Sequence, residues 1–183
     1  MEVSSLEIPD VKLIAPKKFG DHRGFFIETY SRKTLAPHGI DLEFVQDNHS
    51  MSATAGTVRA LHYQLPPFAQ AKLIRVLKGS ILDVAMDIRR NSPTFGKFVA
   101  EVLSADNCRM MYVPVGFAHG FETLEPNTEV AYKVTNYYAP THERGIRWND
   151  PKIGVPWRVA EADAVLSAKD KIAPLLAEAT ELF

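Results

Sequence analysis

One cysteine, Cys108, stands alone among 183 residues, so no internal disulfide can form and a reducing compartment is expected. No apolar run reaches the ~18 residues that a membrane helix needs. The opening stretch MEVSSLEIPDVKLIAPKK lacks the basic start and apolar run of a secretory signal. A cytoplasmic location is therefore the expectation, and the sequon Asn48-His49-Ser50 reads as chance. An excess of either charge is also missing: 21 Lys and Arg face 22 Asp and Glu, for a formal net charge of −1. That balance argues against a nucleic-acid partner, and any anion site must be assembled from a few local cations. No repeat and no low-complexity tract occurs. No Gly-rich dinucleotide fingerprint is visible, so no nicotinamide or other cofactor is expected.

Twelve prolines and ten glycines are present, and they punctuate short apolar runs. That punctuation favours an all-β sandwich or barrel. Strands are expected at Phe25–Tyr30, Thr57–Gln64, Leu73–Leu77, Ile81–Ile88, Lys97–Leu103, Arg109–Val113, Phe121–Thr123 and Thr128–Asn136. Lys78-Gly79-Ser80, between two of these, reads as a hairpin turn. In Ile81–Ile88, Leu82, Val84, Met86 and Ile88 share one face while Asp83, Ala85 and Asp87 share the other, which predicts a half-buried strand. Helix is expected only over Ser31–Pro37 and over the tail Lys169–Leu182, where Ser167 offers a cap and Pro174 weakens the middle. The chain reads as one domain: N-terminal strands and an arm over 1–50, a barrel core over 51–148, and a C-terminal packing segment over 149–183.

Three strands offer chemistry-bearing side chains on apolar faces. His62 alternates in phase with Val58 and Ala60, Lys72 with Ile74 and Val76, and Tyr132 with Val130 and Val134. If those faces are the inner ones, a histidine, a lysine and a tyrosine meet inside the barrel. Alone, the histidine and the tyrosine have an ordinary packing explanation. An unpaired buried ammonium does not, so Lys72 needs a partner or a task. Arg59 alternates away from His62, so a shared site requires a bulge or a place at the barrel mouth. Asp170 is the third residue after Ser167, and its simplest use is to close a capping box at a helix N-terminus.

Pro114-Val115-Gly116-Phe117-Ala118-His119 has the spacing PxGxxH and resembles the second motif of the cupin superfamily, which often supplies a metal-binding histidine. The first cupin motif needs His-x-His. Here the corresponding stretch is His62-Tyr63-Gln64, which lacks the second histidine. Paired imidazoles with a carboxylate suit a divalent transition metal, and that set is incomplete. A cupin-type jelly-roll β-barrel with a short C-terminal helical element is expected, with no metal.

The chain resembles the dTDP-4-dehydrorhamnose 3,5-epimerases. The matching stretches are FGDHRGFFIETY (19–30), FVQDNHS (44–50), VRALHYQ (58–64), QAKLIRVLKGSILDVAMDIRRNSPTFG (70–96), VPVGFAHGF (113–121), YKVTNYYAP (132–140), WNDP (148–151) and LSAKDKIAPLL (166–176). They cover nearly the whole chain, in order. Ala60 departs from the glycine common at that place. The resemblance implies His62 as general base, Tyr132 as the opposing acid, Lys72 as the enolate-stabilising cation and Asp170 as the partner of His62. It also implies that Arg23, Glu28, Gln46, Asp47, Asn48, Arg59, His119, Tyr138, Glu143 and Lys169 line a nucleotide-sugar site. Arg23 and Glu28 would reach the site of a neighbouring subunit in a homodimer.

The implied substrate is dTDP-4-dehydro-6-deoxy-D-glucose, a 4-keto sugar, and the implied product is dTDP-4-dehydro-L-rhamnose. C3 and C5 flank the C4 carbonyl, so their protons leave only if the enolate is stabilised. Inversion then needs a base on one ring face and an acid on the other. An imidazole, with an ordinary pKa of about 6.5, suits the first task. The alternatives are an epimerase acting at C3 or C5 alone on a related sugar, a metal-dependent cupin, and a sugar-binding cupin without catalysis.

Overall fold

The computed structural model describes residues 1–183. Thirteen strands dominate it: β1 (Glu2–Ser5), β2 (Lys12–Ala15), β3 (Lys18–Asp21), β4 (Gly24–Ile27), β5 (Gln46–Ser52), β6 (Val58–Gln64), β7 (Lys72–Lys78), β8 (Ser80–Asp87), β9 (Phe98–Ser104), β10 (Met110–Val113), β11 (Phe117–Thr123), β12 (Thr128–Val134) and β13 (Glu143–Gly145). Six of them form one antiparallel sheet in the order β1-β2-β10-β7-β12-β5. Five form the facing sheet, β13-β6-β11-β8-β9, also antiparallel. Strands β3 and β4 pair only with each other. This is the all-β jelly-roll architecture expected from the sequence.

Apolar packing occurs in three layers. Between the sheets lie Ile74, Val76, Met111, Val113 and Val130 from one side and Ile81, Ala85, Val99, Phe117 and Phe121 from the other. The outer face of the five-stranded sheet, with Val58, Leu61, Val84 and Met86, is covered by Trp148, Leu166, Leu176 and Phe183. The outer face of the six-stranded sheet, with Leu73, Met110 and Tyr112, is covered by Leu35 and Ile40.

Local expectations are corrected by this arrangement. The predicted half-buried strand, now β8, is buried at every residue. Its apolar set faces the C-terminal segment, and Asp83, Ala85 and Asp87 point into the barrel. The polar face is thus the inner one. The predicted hairpin at Lys78-Gly79-Ser80 is instead a corner, because β7 and β8 belong to different sheets. Gly79 makes it possible: its φ is 75°, and a Cβ there would lie 2.4 Å from Thr128 Oγ1.

The tail is mostly irregular where a helix was expected. It holds one short helix, α2 (Ala168–Lys171), and a 3-10 turn at Leu176–Glu178. Pro174 has no N–H to continue the helix and disfavours helical backbone before it. The other expected helix is also shortened, to α1 (Arg32–Leu35) capped by Ser31, followed by a 3-10 turn.

The feature that most affects function is a bulge in β6. His119 opposes His62 and Phe121 opposes Arg59, so two residues, Ala60 and Leu61, face the single Gly120. One extra residue reverses the alternation. Val58, Ala60, Leu61 and Tyr63 all pack in the outer layer, while Arg59 and His62 both turn toward the interior. The inferred phase of His62 with Val58 and Ala60 is therefore wrong, although His62 does face inward.

Gly120 is what allows the bulge to close against β11. A Cβ at 120 would stand 2.3 Å from the Ala60 Cβ and 2.8 Å from the Arg59 carbonyl oxygen. Gly120→Ala is expected to cost about 2–3 kcal/mol, or about 5–10 °C in Tm, by overpacking. An unchanged melting curve for that variant would refute this packing account.

Candidate active site

A cavity of about 580 Å³ opens between the two sheets and the C-terminal segment. Most of the residues singled out in the sequence line it: Gln46 and Asn48 from β5, Arg59 and His62 from β6, Lys72 from β7, His119 from β11, and Tyr132 from β12. Tyr138, Glu143, Lys169 and Asp170 complete the set. His62 and His119 project from the five-stranded sheet, Lys72 and Tyr132 from the facing six-stranded sheet.

His62 is fixed by the tail. Its Nε2 lies 2.5 Å from Asp170 Oδ1, and the other carboxylate oxygen, Oδ2, accepts a hydrogen bond from Ser167 Oγ at 2.8 Å. The Asp170 backbone N–H in turn donates to Ser167 Oγ at 3.3 Å. Asp170 pairs with His62 and closes no capping box: Ser167 Oγ caps α2 by accepting from the Asp170 N–H, while the Asp170 carboxylate takes the Ser167 hydroxyl and not its backbone N–H. Burial works to raise the Asp170 carboxyl, but the hydrogen bonds from His62 and Ser167 hold it below the usual carboxylate range. An ionised Asp170 can only accept, so the proton of the neutral His62 ring sits on Nε2 and Nδ1 keeps its lone pair.

Lys72 is enclosed, and its Nζ donates to the His62 carbonyl oxygen at 3.3 Å. Burial lowers its pKa to about 8, against the opposing pull of Asp83. The Tyr132 phenol is pushed up by burial, so it stays protonated near neutral pH and can give a proton. His119, buried on the strand beside His62, places Nε2 2.8 Å from Asp83 Oδ1. Burial holds His119 below its ordinary range, which leaves a neutral ring.

At the mouth, Glu143 accepts from Tyr138 Oη at 3.0 Å and from Lys169 Nζ at 2.6 Å. Arg59 donates from Nε to Ser52 Oγ and from Nη2 to the Met51 carbonyl, both at 3.3 Å. Gln64 stands where a metal-binding cupin motif would have its second histidine. Its Nε2 donates to the carbonyls of Phe68 (2.7 Å) and Tyr137 (3.1 Å), and its Oε1 accepts from Ala139 N–H at 2.8 Å. That amide organises loops, and the donor set here does not fit a metal.

Three of the named residues are not brought to this cavity. Asp47 alternates to the outer face of β5, where it pairs with Lys133 at 2.8 Å. Arg23 sits at the tip of the β3–β4 hairpin, ion-paired with Asp21 at 2.6 Å and largely exposed. Glu28 follows that hairpin and is exposed. Conversely, Ser50, Gln70, Ser167 and Phe121 line the cavity without having been named as ligands. Asp83 was also passed over. Its signal was a carboxylate in mid-strand, flanked by Leu82 and Val84, a place where a charge is rare unless it is paired.

The family model described as dTDP-4-dehydrorhamnose 3,5-epimerase matches residues 5–178. The chain belongs to the dTDP-4-dehydrorhamnose 3,5-epimerase family. It is 50% identical over 178 residues to the dTDP-4-dehydrorhamnose 3,5-epimerase of Sinorhizobium fredii, covering 97% of this chain and 91% of that protein. The crystal structure of the epimerase from Bacillus anthracis with TDP and PPi bound superposes with a TM-score of 0.92 at 50% identity, over 95% of this chain and 98% of that one. The structure from Legionella pneumophila in complex with dTDP-4-keto-L-rhamnose gives a TM-score of 0.92 at 44% identity, covering 97% and 93%. His62, Tyr132 and Lys72 share the cavity described above.

Proposed function

We infer that this chain inverts C3 and C5 of dTDP-4-dehydro-6-deoxy-D-glucose to give dTDP-4-dehydro-L-rhamnose, in dTDP-L-rhamnose biosynthesis. The observation that carries the reading is the His62–Asp170 pair on one wall of the cavity, with Tyr132 and Lys72 on the other.

His62 Nδ1 removes the proton from C3 or C5, and the C–H electron pair moves toward the C4 carbonyl. The Lys72 ammonium stabilises the enolate oxygen, in a low-dielectric setting where one such donor is worth about 3–4 kcal/mol. The Tyr132 phenol returns a proton to the opposite face of the ring. The phenolate and imidazolium left behind re-equilibrate with solvent. Arg59 and Lys169 hold the pyrophosphate, as guanidinium and ammonium groups do. Gln46, Asn48, His119, Tyr138 and Glu143 contact the sugar and base. No electron changes hands, so the reaction itself calls for no redox cofactor.

The protein works as a homodimer in the cytoplasm in this reading. What supports the dimer is the β3–β4 hairpin, which presents Phe19, Phe25 and Phe26 at 53%, 57% and 68% exposure and joins no other strand of its own chain. A second copy covers these rings and receives Arg23 and Glu28 at its own site.

Proton NMR in D₂O with dTDP-4-dehydro-6-deoxy-D-glucose tests the reading. Deuterium is expected at both C3 and C5 of the product, and label at one carbon alone would reduce the enzyme to a single-site epimerase. In the same assay Tyr132→Phe is expected to invert about 100-fold more slowly, the scale of a lost general acid. Its proton wash-out should exceed inversion, because His62 still removes protons. Inversion at the wild-type rate would remove Tyr132 from the mechanism.

A further inference from the structure

The cavity wall holds a second histidine–carboxylate pair. His119 lies directly opposite His62 in the β6–β11 register, and its Nε2 is bonded to Asp83 Oδ1. The other oxygen, Asp83 Oδ2, is the one buried side-chain polar atom with no hydrogen-bond partner. Asp83 itself is fully buried, at 0% exposure. A carboxylate in that position costs free energy unless another charge compensates it. The neutral His119 ring donates a hydrogen bond but brings no charge.

Lys72 has the complementary problem. It is enclosed in the same barrel, and its side chain donates to a neutral carbonyl, that of His62. From the elements packed around it, Lys72 meets Asp83 of β8, Glu143 of β13, Lys169 of α2, the His119 imidazole of β11 and the His62 carbonyl of β6. Glu143 and Lys169 are bridged to each other at 2.6 Å, so their effects on Lys72 largely cancel. Asp83 is the remaining anion.

We propose that Asp83 is a positioning residue for the reaction: its free oxygen supplies the counter-charge that keeps Lys72 protonated in the buried cavity, while His119 anchors its other oxygen. Asp83 touches neither the base nor the sugar. It acts through the charge of Lys72, the group assigned above to stabilise the enolate, and the catalytic part of this inference rests on that assignment.

The charge balance of the barrel follows: Lys72 on the six-stranded sheet supplies one ammonium and Asp83 on the five-stranded sheet one carboxylate. Without Asp83, burial alone would push Lys72 toward its neutral form at the pH where the enolate must be stabilised.

The test compares wild type with Asp83→Asn, which keeps the shape and an oxygen that can accept from His119 but removes the charge. Asp83→Ser removes the charge with a smaller polar side chain, should the asparagine variant not fold. The Lys72 side-chain titration is followed by NMR on protein carrying labelled lysine, without substrate. The wild-type midpoint near pH 8 is expected to fall below about 7 in either folded variant. The alkaline limb of the kcat profile should move to lower pH in parallel, with KM little changed and with activity recovering on acidification. Asp83→Glu, which restores the charge, should bring the midpoint back. A Lys72 midpoint that does not move overturns the proposal, as does an activity loss that is uniform with pH. The substrate-free titration judges the pairing even if the protein epimerises neither carbon, so failure of the functional reading remains distinguishable.

Discussion

His62→Ala is expected to lower kcat by about 10³- to 10⁴-fold while leaving the fold in place. The size follows from what is removed. His62 Nδ1 is the free nitrogen of a ring whose other nitrogen is fixed on Asp170, and no second histidine stands ready to replace it. His119, the nearest candidate, has its own carboxylate and is buried more deeply. The fold should survive because His62 is not part of an apolar cluster and its side chain is 22% exposed. Asp170 loses one hydrogen bond but keeps Ser167, so the stability cost is limited to about 1–3 kcal/mol. Substrate affinity should change little, since the pyrophosphate is held elsewhere. The checks are kcat and KM by product NMR, and Tm by circular dichroism. Turnover within tenfold of wild type, in a folded variant, would refute the base assignment.

The fold class and the inward Lys72 and Tyr132 were legible because turn residues at close spacing and apolar alternation are local signals, whereas His62 faces inward only through the β6 bulge. The details that shape the site were less so. Strand β5, QDNHSMS, escaped notice because its inward side chains, Gln46, Asn48 and Ser50, line a polar cavity and give no apolar period. Strand β8, expected to be half-buried, is buried on both faces because the C-terminal segment covers its apolar side. When both faces are covered, the more apolar one need not face the barrel. The β6 bulge had no local signature, since it depends on Gly120, nearly sixty residues away in the chain. Simple alternation set Arg59 apart from His62, and the bulge puts them on one face. Asp170 could be placed against His62 only by resemblance, because a separation of 108 residues leaves no periodic trace. The cluster of Lys72, Asp83 and His119 combines three strands, and its logic appears only once their registers are known.

Asp170→Asn is expected to lower kcat by about 10³-fold without moving the backbone, because it changes which nitrogen of His62 carries the proton. The carboxylate can only accept, which places the proton on Nε2. An asparagine that keeps its carbonyl toward Ser167 turns its NH₂ toward His62. The amide then donates to Nε2, the ring proton moves to Nδ1, and the lone pair needed for abstraction is gone. Nitrogen-15 spectra of labelled histidine report this directly: a proton on Nε2 in the wild type and on Nδ1 in the variant. An unchanged tautomer with full activity would show that the Asp170 charge does not set the state of the His62 ring. The pH dependence of stability gives a second readout. The folded Asp170 carboxyl lies below its ordinary value of 3.8, so it favours the folded state above that pH. That contribution is lost as pH falls through the depressed folded value. Wild type should therefore be the more stable protein near neutrality, and the two should converge on acidification. A gap that stays constant down to pH values below the carboxylate range would mean that the charge of Asp170 contributes nothing, and that shape alone holds His62 in place.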